Sequence, residues 1–105
     1  MKALINLDMV GRLDEVENRV QVNQCFAKSD SLFAGRAADD IRVTIEVADR
    51  ISNDLTVFCE AGLPALSITT GLHQDYHRCS DTADKINYLG MERILSLIRH
   101  MLMRL

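Results

Sequence analysis

The sequence predicts an α/β domain built in layers, and three observations carry that reading. Strand-length apolar or alternating stretches recur along the chain, a helix-length amphipathic stretch closes it, and Gly, Pro, Asn or Asp stand between them. Ala3 to Met9 is a nearly continuous apolar run, the pattern of a strand covered on both faces, and Gly11 ends it. Arg19-Val20-Gln21-Val22-Asn23 alternates polar with apolar, as a half-buried strand does. Ser29 or Asp30 can cap a helix running to about Ala38, with Leu32, Phe33 and Ala37 on one side. Ile41 to Val47 alternates again, with Ile41, Val43, Ile45 and Val47 pointing one way. Asn53 or Asp54 is placed to cap a short helix that stops at Gly62, with Pro64 beyond it. Ala65 to Thr69 reads as a buried strand, and Asp81 to Tyr88 as loop or a helical turn. Met91 to Leu105 is the closing helix, with Met91, Ile94, Leu95, Ile98, Met101, Leu102 and Leu105 on its apolar stripe.

Length and composition narrow the function classes. A chain of 105 residues is one domain, and 48% hydrophobic with 26% charged residues is an ordinary globular balance. The net charge is −3, with no basic block to track a phosphate backbone, so nucleic acid is not an expected partner. No apolar run approaches the roughly 18–20 residues of a membrane span, and the first residues carry no secretory-signal pattern. Three cysteines are too few and of the wrong parity for a disulfide-stapled fold, and Cys59 and Cys79 are expected to be small buried thiols.

Two stretches are rich in chemistry. Asp8 stands at the carboxyl end of the first strand, where open α/β sheets collect functional groups. A carboxylate there either accepts backbone N–H bonds in the turn at Gly11 or binds a metal. The second stretch follows the strand Ala65 to Thr69. His73, Asp75, Tyr76, His77, Cys79 and Asp81 put two imidazoles, two carboxylates, a phenol and a thiol within nine residues. The spacing His73-x-x-x-His77 matches that of helical zinc-protease motifs, but Gln74 replaces the general-base Glu and Gly71 puts the segment in a loop. A weak single-zinc site of His73, Asp75, His77 and Cys79 remains open, as does a loop whose histidines bind nothing. His100 falls on the polar side of the last helix, as a solvated residue.

Taken together, Asn6-Leu7-Asp8-Met9-Val10-Gly11-Arg12 and the run from Gly71 through Asp75-Tyr76-His77 and Asp81-Thr82-Ala83-Asp84-Lys85-Ile86-Asn87 resemble the two-zinc aminopeptidases of clan MH. That group includes bacterial leucyl aminopeptidases, with glutamate carboxypeptidases and glutaminyl cyclases as relatives. Asn53 to Leu66 is similar to a segment lying between the two motifs in that family, with Leu55 where His or another ring is usual. The resemblance implies a zinc-exopeptidase-like fold, here a layered half-domain with a mixed sheet flanked by helices. It implies that Asp8 binds one zinc and His77 the other, and that Tyr76 hydrogen-bonds the oxyanion of the tetrahedral intermediate. The family's first zinc histidine, bridging aspartate and adjacent glutamate pair precede the Asn-x-Asp-Met segment, whereas five residues precede Asn6 here. The expectation is therefore a carboxyl-terminal half of a zinc aminopeptidase domain over residues 1–105, acting on the N-terminal bond of a peptide substrate only when complete and inactive alone. Its expected partners are the other half or a second copy in a homo-oligomer. The alternative is a non-catalytic interaction or assembly module derived from such a half-domain.

Overall fold

The computed structural model describes residues 3–25, 41–47 and 54–104. Within them the chain runs β1 (Leu4–Leu7), β2 (Arg19–Cys25), β3 (Arg42–Val47), α1 (Leu55–Glu60), β4 (Ala65–Thr69), a single 3₁₀ turn at Ala83–Lys85 and α2 (Tyr88–Leu102). The expected helix between Ser29 and Ala38, and Asn53, lie outside the described residues.

The strands form one mixed sheet in the order β1-β4-β2-β3. β1 runs parallel to β4, with Leu4 opposite Ala65 and Leu7 opposite Ile68. β4 runs antiparallel to β2, with Gln21 opposite Thr69 and Cys25 opposite Ala65. β2 and β3 are parallel, from Arg19 opposite Arg42 to Gln24 opposite Val47. β4 lies between two neighbours and has four of its five residues buried, Ser67 among them, as expected of a buried strand.

Period-two alternation sends β4 side chains to two layers. Leu66 and Ile68 join Val20, Val22, Ile41 and the α2 residues Ile94, Leu97, Ile98 and Met101 in the main core. Ala65 faces the other way, into a smaller cluster with Cys25 and the α1 residue Leu55, against which Leu4, Phe58 and Cys59 pack. Ile5 packs on the first cluster and Leu4 on the second, so β1 touches both layers, but none of its residues is fully buried and Leu7 is exposed, short of the expected strand covered on both faces. The domain is thus α/β, a sheet with helices packed over it.

Local signals explain the helix ends. Asp54 stands at the N-cap of α1 but makes no side-chain cap bond. At the other end Gly62, at φ 73°, donates to Cys59 O while Leu63 donates to Phe58 O, the paired bonds by which a left-handed residue closes a helix. α2 begins at Tyr88, three residues before the expected Met91, because the Asn87 side chain accepts the Gly90 N–H at 2.9 Å. Its buried stripe also differs from the expected one. Leu97 is buried, whereas Leu95 and Leu102 are more than half exposed. Leu105 lies outside the described residues.

The cysteine expectations are corrected. Cys25 and Cys59 form a disulfide between β2 and α1, because antiparallel pairing brings the end of β2 to the start of β4, just past α1. Cys79 is an exposed free thiol, since its loop projects beyond the sheet. His100 is not solvated throughout: its Nε2 is enclosed and has no hydrogen-bond partner among the described residues.

Candidate functional site

The site grows from the carboxyl ends of the two parallel strands. The Asp8 N–H donates to Ile68 O at 3.1 Å, and the next turn is locked by Met9, a non-glycine residue at φ 56°. That conformation aims the Met9 carbonyl at β4, where it accepts from the Thr70 N–H at 3.0 Å and the Thr70 hydroxyl at 2.7 Å. Left-handed backbone at a residue with a side chain is disfavoured, and the two bonds to Thr70 offset that cost. Gly71, at φ 90°, then turns the chain out of the sheet.

The segment beyond Gly71 is a series of tight turns. Tyr76 N–H donates to His73 O, Arg78 N–H to Asp75 O and Asp81 N–H to Arg78 O. His73 Nδ1 accepts from the Asp75 N–H at 3.2 Å. His77 is left-handed at φ 54°, and its ring stacks on that of Tyr76 with centroids 3.9 Å apart. The two histidines therefore lie on turns, as Gly71 implied.

Asp75 has a structural role that the sequence did not show, and the loop depends on it. It is buried, and its carboxylate receives Arg12 Nη1 at 3.0 Å and Lys85 Nζ at 3.1 Å. Arg12 reaches Asp81 with its other nitrogen at 2.8 Å, so one planar guanidinium ties two points of the loop to the turn after β1. The Ser80 hydroxyl, with Lys85 and Arg12, holds the Asp75 carboxyl well below the usual carboxylate range, against the opposing pull of burial. Asn87 fastens the next stretch: its N–H donates to Gly11 O at 2.8 Å and its side-chain amide to Leu13 O at 2.9 Å. A buried carboxylate this close to two cations could have been suspected from Arg12, Asp75 and Lys85 as residue types, but nothing in their spacing pairs them.

Asp8, Tyr76 and His77 all line one open cleft of about 790 Å³, together with Arg12, Asp54 and His73. Asp8 and His77 are exposed to it, and Tyr76 is 39% exposed. Leu55, which stands where the resembled family carries a ring, is fully buried in the smaller core and is not among the residues that line this cleft.

The metal reading can be tested on these positions. Among the described residues, no group of three or more His, Cys, Asp or Glu side chains is placed to hold a metal ion. A weak site of His73, Asp75, His77 and Cys79 is disfavoured further because Asp75 is engaged by Arg12 and Lys85. Zinc takes about three or four protein ligands, so the described residues do not by themselves make a zinc centre.

Side chains gathered beyond the carboxyl ends of parallel strands stand where open α/β sheets collect functional groups. A family model described as Peptidase family M28 matches residues 1–102, nearly the whole chain, and the chain belongs to that family. It is thus of metallopeptidase, hydrolase stock, from a family whose peptidases are generally zinc-dependent. No significant match to the chain was found among curated proteins or among solved structures. Among the described residues, no helix is long and apolar enough to cross a membrane.

Proposed function

We propose that this chain forms the carboxyl-terminal part of a peptidase domain that hydrolyses N-terminal peptide bonds, and that it contributes Asp8, Tyr76 and His77 to that site. The observation that supports the reading best is that these side chains, 68 and 69 positions apart in the sequence, line one cleft. The Tyr76 phenol is a neutral donor at the cleft wall, suited to a developing oxyanion. His77 and Asp8 offer an imidazole and a carboxylate from the segments that follow β4 and β1. Arg12, through Asp75 and Asp81, holds the loop that carries Tyr76 and His77. Zinc ligands beyond Asp8 and His77, and the general base, would come from residues outside these 105, so the isolated chain is inactive in this reading.

The test uses amino-acid anilides with zinc added. The chain alone is expected to give no turnover, and turnover that is lost in His77→Ala would refute its incompleteness. Joined to the peptide encoded immediately upstream, it is expected to gain turnover that Tyr76→Phe and His77→Ala reduce. A joined protein that folds and remains inert would refute the peptidase reading and favour the alternative, an interaction or assembly module. The exposed apolar side chains of α2, Leu89, Leu95 and Leu102, are the feature that supports that alternative.

A further inference from the structure

Two successive backbone N–H groups at the start of the loop after β4 converge on one residue. His73 accepts the Asp75 N–H at its ring Nδ1, at 3.2 Å, and the Tyr76 N–H at its carbonyl oxygen, at 3.0 Å. The peptide planes on either side of Asp75 are thereby both set from His73. The next turn starts there, where the Arg78 N–H donates to Asp75 O at 3.0 Å and encloses Tyr76 and His77. Within it His77 takes a left-handed φ of 54° and stacks its ring on that of Tyr76. That conformation is disfavoured for a residue with a side chain, so the stack depends on how the preceding residues enter the turn. The ties of Asp75 to Arg12 and Lys85 run through its side chain and leave the orientation of its N–H to His73.

The same bond fixes the chemistry of the ring. Nδ1 accepts, so the neutral imidazole carries its proton on Nε2. Nε2 stands 3.9 Å from Asp81 Oδ2, too far for a direct hydrogen bond, while Asp81 Oδ1 is held by Arg12 Nη2 at 2.8 Å. To ligate a metal through Nε2, His73 would have to move that proton to Nδ1, against the Asp75 N–H that already points there. The spacing His73-x-x-x-His77 therefore joins a turn-forming imidazole to one exposed to the cleft. We infer that His73 is a positioning residue, whose Nδ1 sets the turn in which Tyr76 and His77 are presented to the cleft. This deepens the proposed function, since it rests on the role given there to Tyr76 and His77. His73 lines the same cleft, with its side chain only 16% exposed.

Nuclear magnetic resonance on the 105-residue chain tests this without turnover, so its outcome is separate from that of the anilide assay. At about pH 8, where an ordinary imidazole is neutral, the His73 ring is expected to carry its proton on Nε2. Tyr76 and His77 are expected to show ring–ring Overhauser contacts and mutually shifted ring protons. Two substitutions separate the roles of the two nitrogens. The Asn side-chain oxygen lies as many bonds from Cα as Nδ1 does and can accept the N–H two residues on. The Gln amide lies one bond further, where Nε2 stands. His73→Asn is therefore expected to keep the stack, and His73→Gln and His73→Ala to lose it, with the amide signals of α2 and β4 unchanged in all three. A role in filling space alone would favour Gln, the closer match in size. A wild-type ring protonated on Nδ1 would overturn the inference, and because it is read on the wild type this arm survives a variant that fails to fold. So would a stack that persists in His73→Ala or His73→Gln, or one that is lost in a folded His73→Asn.

Discussion

Replacing Gly90 by alanine sets two physical effects of opposite sign against each other. Gly90 lies in the first turn of α2, and alanine inside a helix is favoured over glycine by about 0.8–1 kcal/mol. By propensity alone Gly90→Ala stabilises the domain. The packing says otherwise. A Cβ built at Gly90 lies 2.7 Å from Asn87 Nδ2, 2.9 Å from Asn87 Cγ and 2.8 Å from Leu13 Cβ. The Leu13 Cβ is bound to the backbone and cannot swing aside, and the Asn87 side chain is held by its bonds to Gly90 N and Leu13 O. Displacing Asn87 forfeits a cap of roughly 0.5–2 kcal/mol, and overpacking costs about 1–3 kcal/mol. The sum exceeds the propensity gain, and the net expectation is a loss of about 1–3 kcal/mol. For a domain of this size each kcal/mol lowers Tm by roughly 4–8 °C. Urea and thermal unfolding followed by circular dichroism measure it. In an Asn87→Ala background the penalty is expected to shrink but persist, because the Leu13 contact remains. A Gly90→Ala variant as stable as the wild type would refute the close packing of α2 on Leu13 and, with it, the anchoring of the turn after β1.

Cys59→Ser opens the disulfide to Cys25, whose 34-residue separation corresponds to a chain-entropy contribution of about 3–4 kcal/mol. Non-reducing mass spectrometry of the wild type should show one bond between those residues, and denaturant midpoints should fall in the variant or on reduction. Ile94→Ala, at a side chain 1% exposed in the main core, is expected to lose about 2–5 kcal/mol in the same unfolding assay. Asp75→Asn is expected to destabilise the loop at neutral pH. The folded carboxyl of Asp75 titrates below its unfolded value, so its contribution is present above about pH 4 and is lost as pH falls toward the folded value. The gap between wild type and Asp75→Asn should therefore close in acid, and a gap that widens in acid would contradict the ion-pair network. Zinc titration of the isolated chain by calorimetry at neutral pH is expected to show no binding tighter than micromolar.

The strands were legible because each carries its burial in its own side chains. Ala65, Leu66 and Ile68 marked a buried strand at Ala65–Thr69, the one that lies between two others, and the alternation at Arg19–Asn23 marked one with Val20 and Val22 inward and Arg19 and Gln21 outward. The candidate site residues Asp8, Tyr76 and His77 were visible for a similar reason. Chemistry-bearing groups placed directly after apolar strands are exceptions to the local pattern, and they stand in contiguous motifs.

What remained hidden depended on pairs of residues far apart in the chain. Arg12 meets Asp75 and Asp81 across 63 and 69 positions, and Cys25 meets Cys59 across 34. Neither partner of any pair carries a sign of the other, because such contacts follow from sheet order, and a strand's own alternation does not say which neighbour it takes. The face of α2 was misjudged on the same ground. Helical periodicity admitted Leu95 and Leu102 to the apolar stripe as readily as Leu97, and only the sheet beneath decided that Leu97 is covered while Leu95 and Leu102 face outward. Periodicity along a helix ranks its faces by hydrophobicity, whereas packing assigns the inward one by which residues the sheet can reach, and that choice is made in three dimensions.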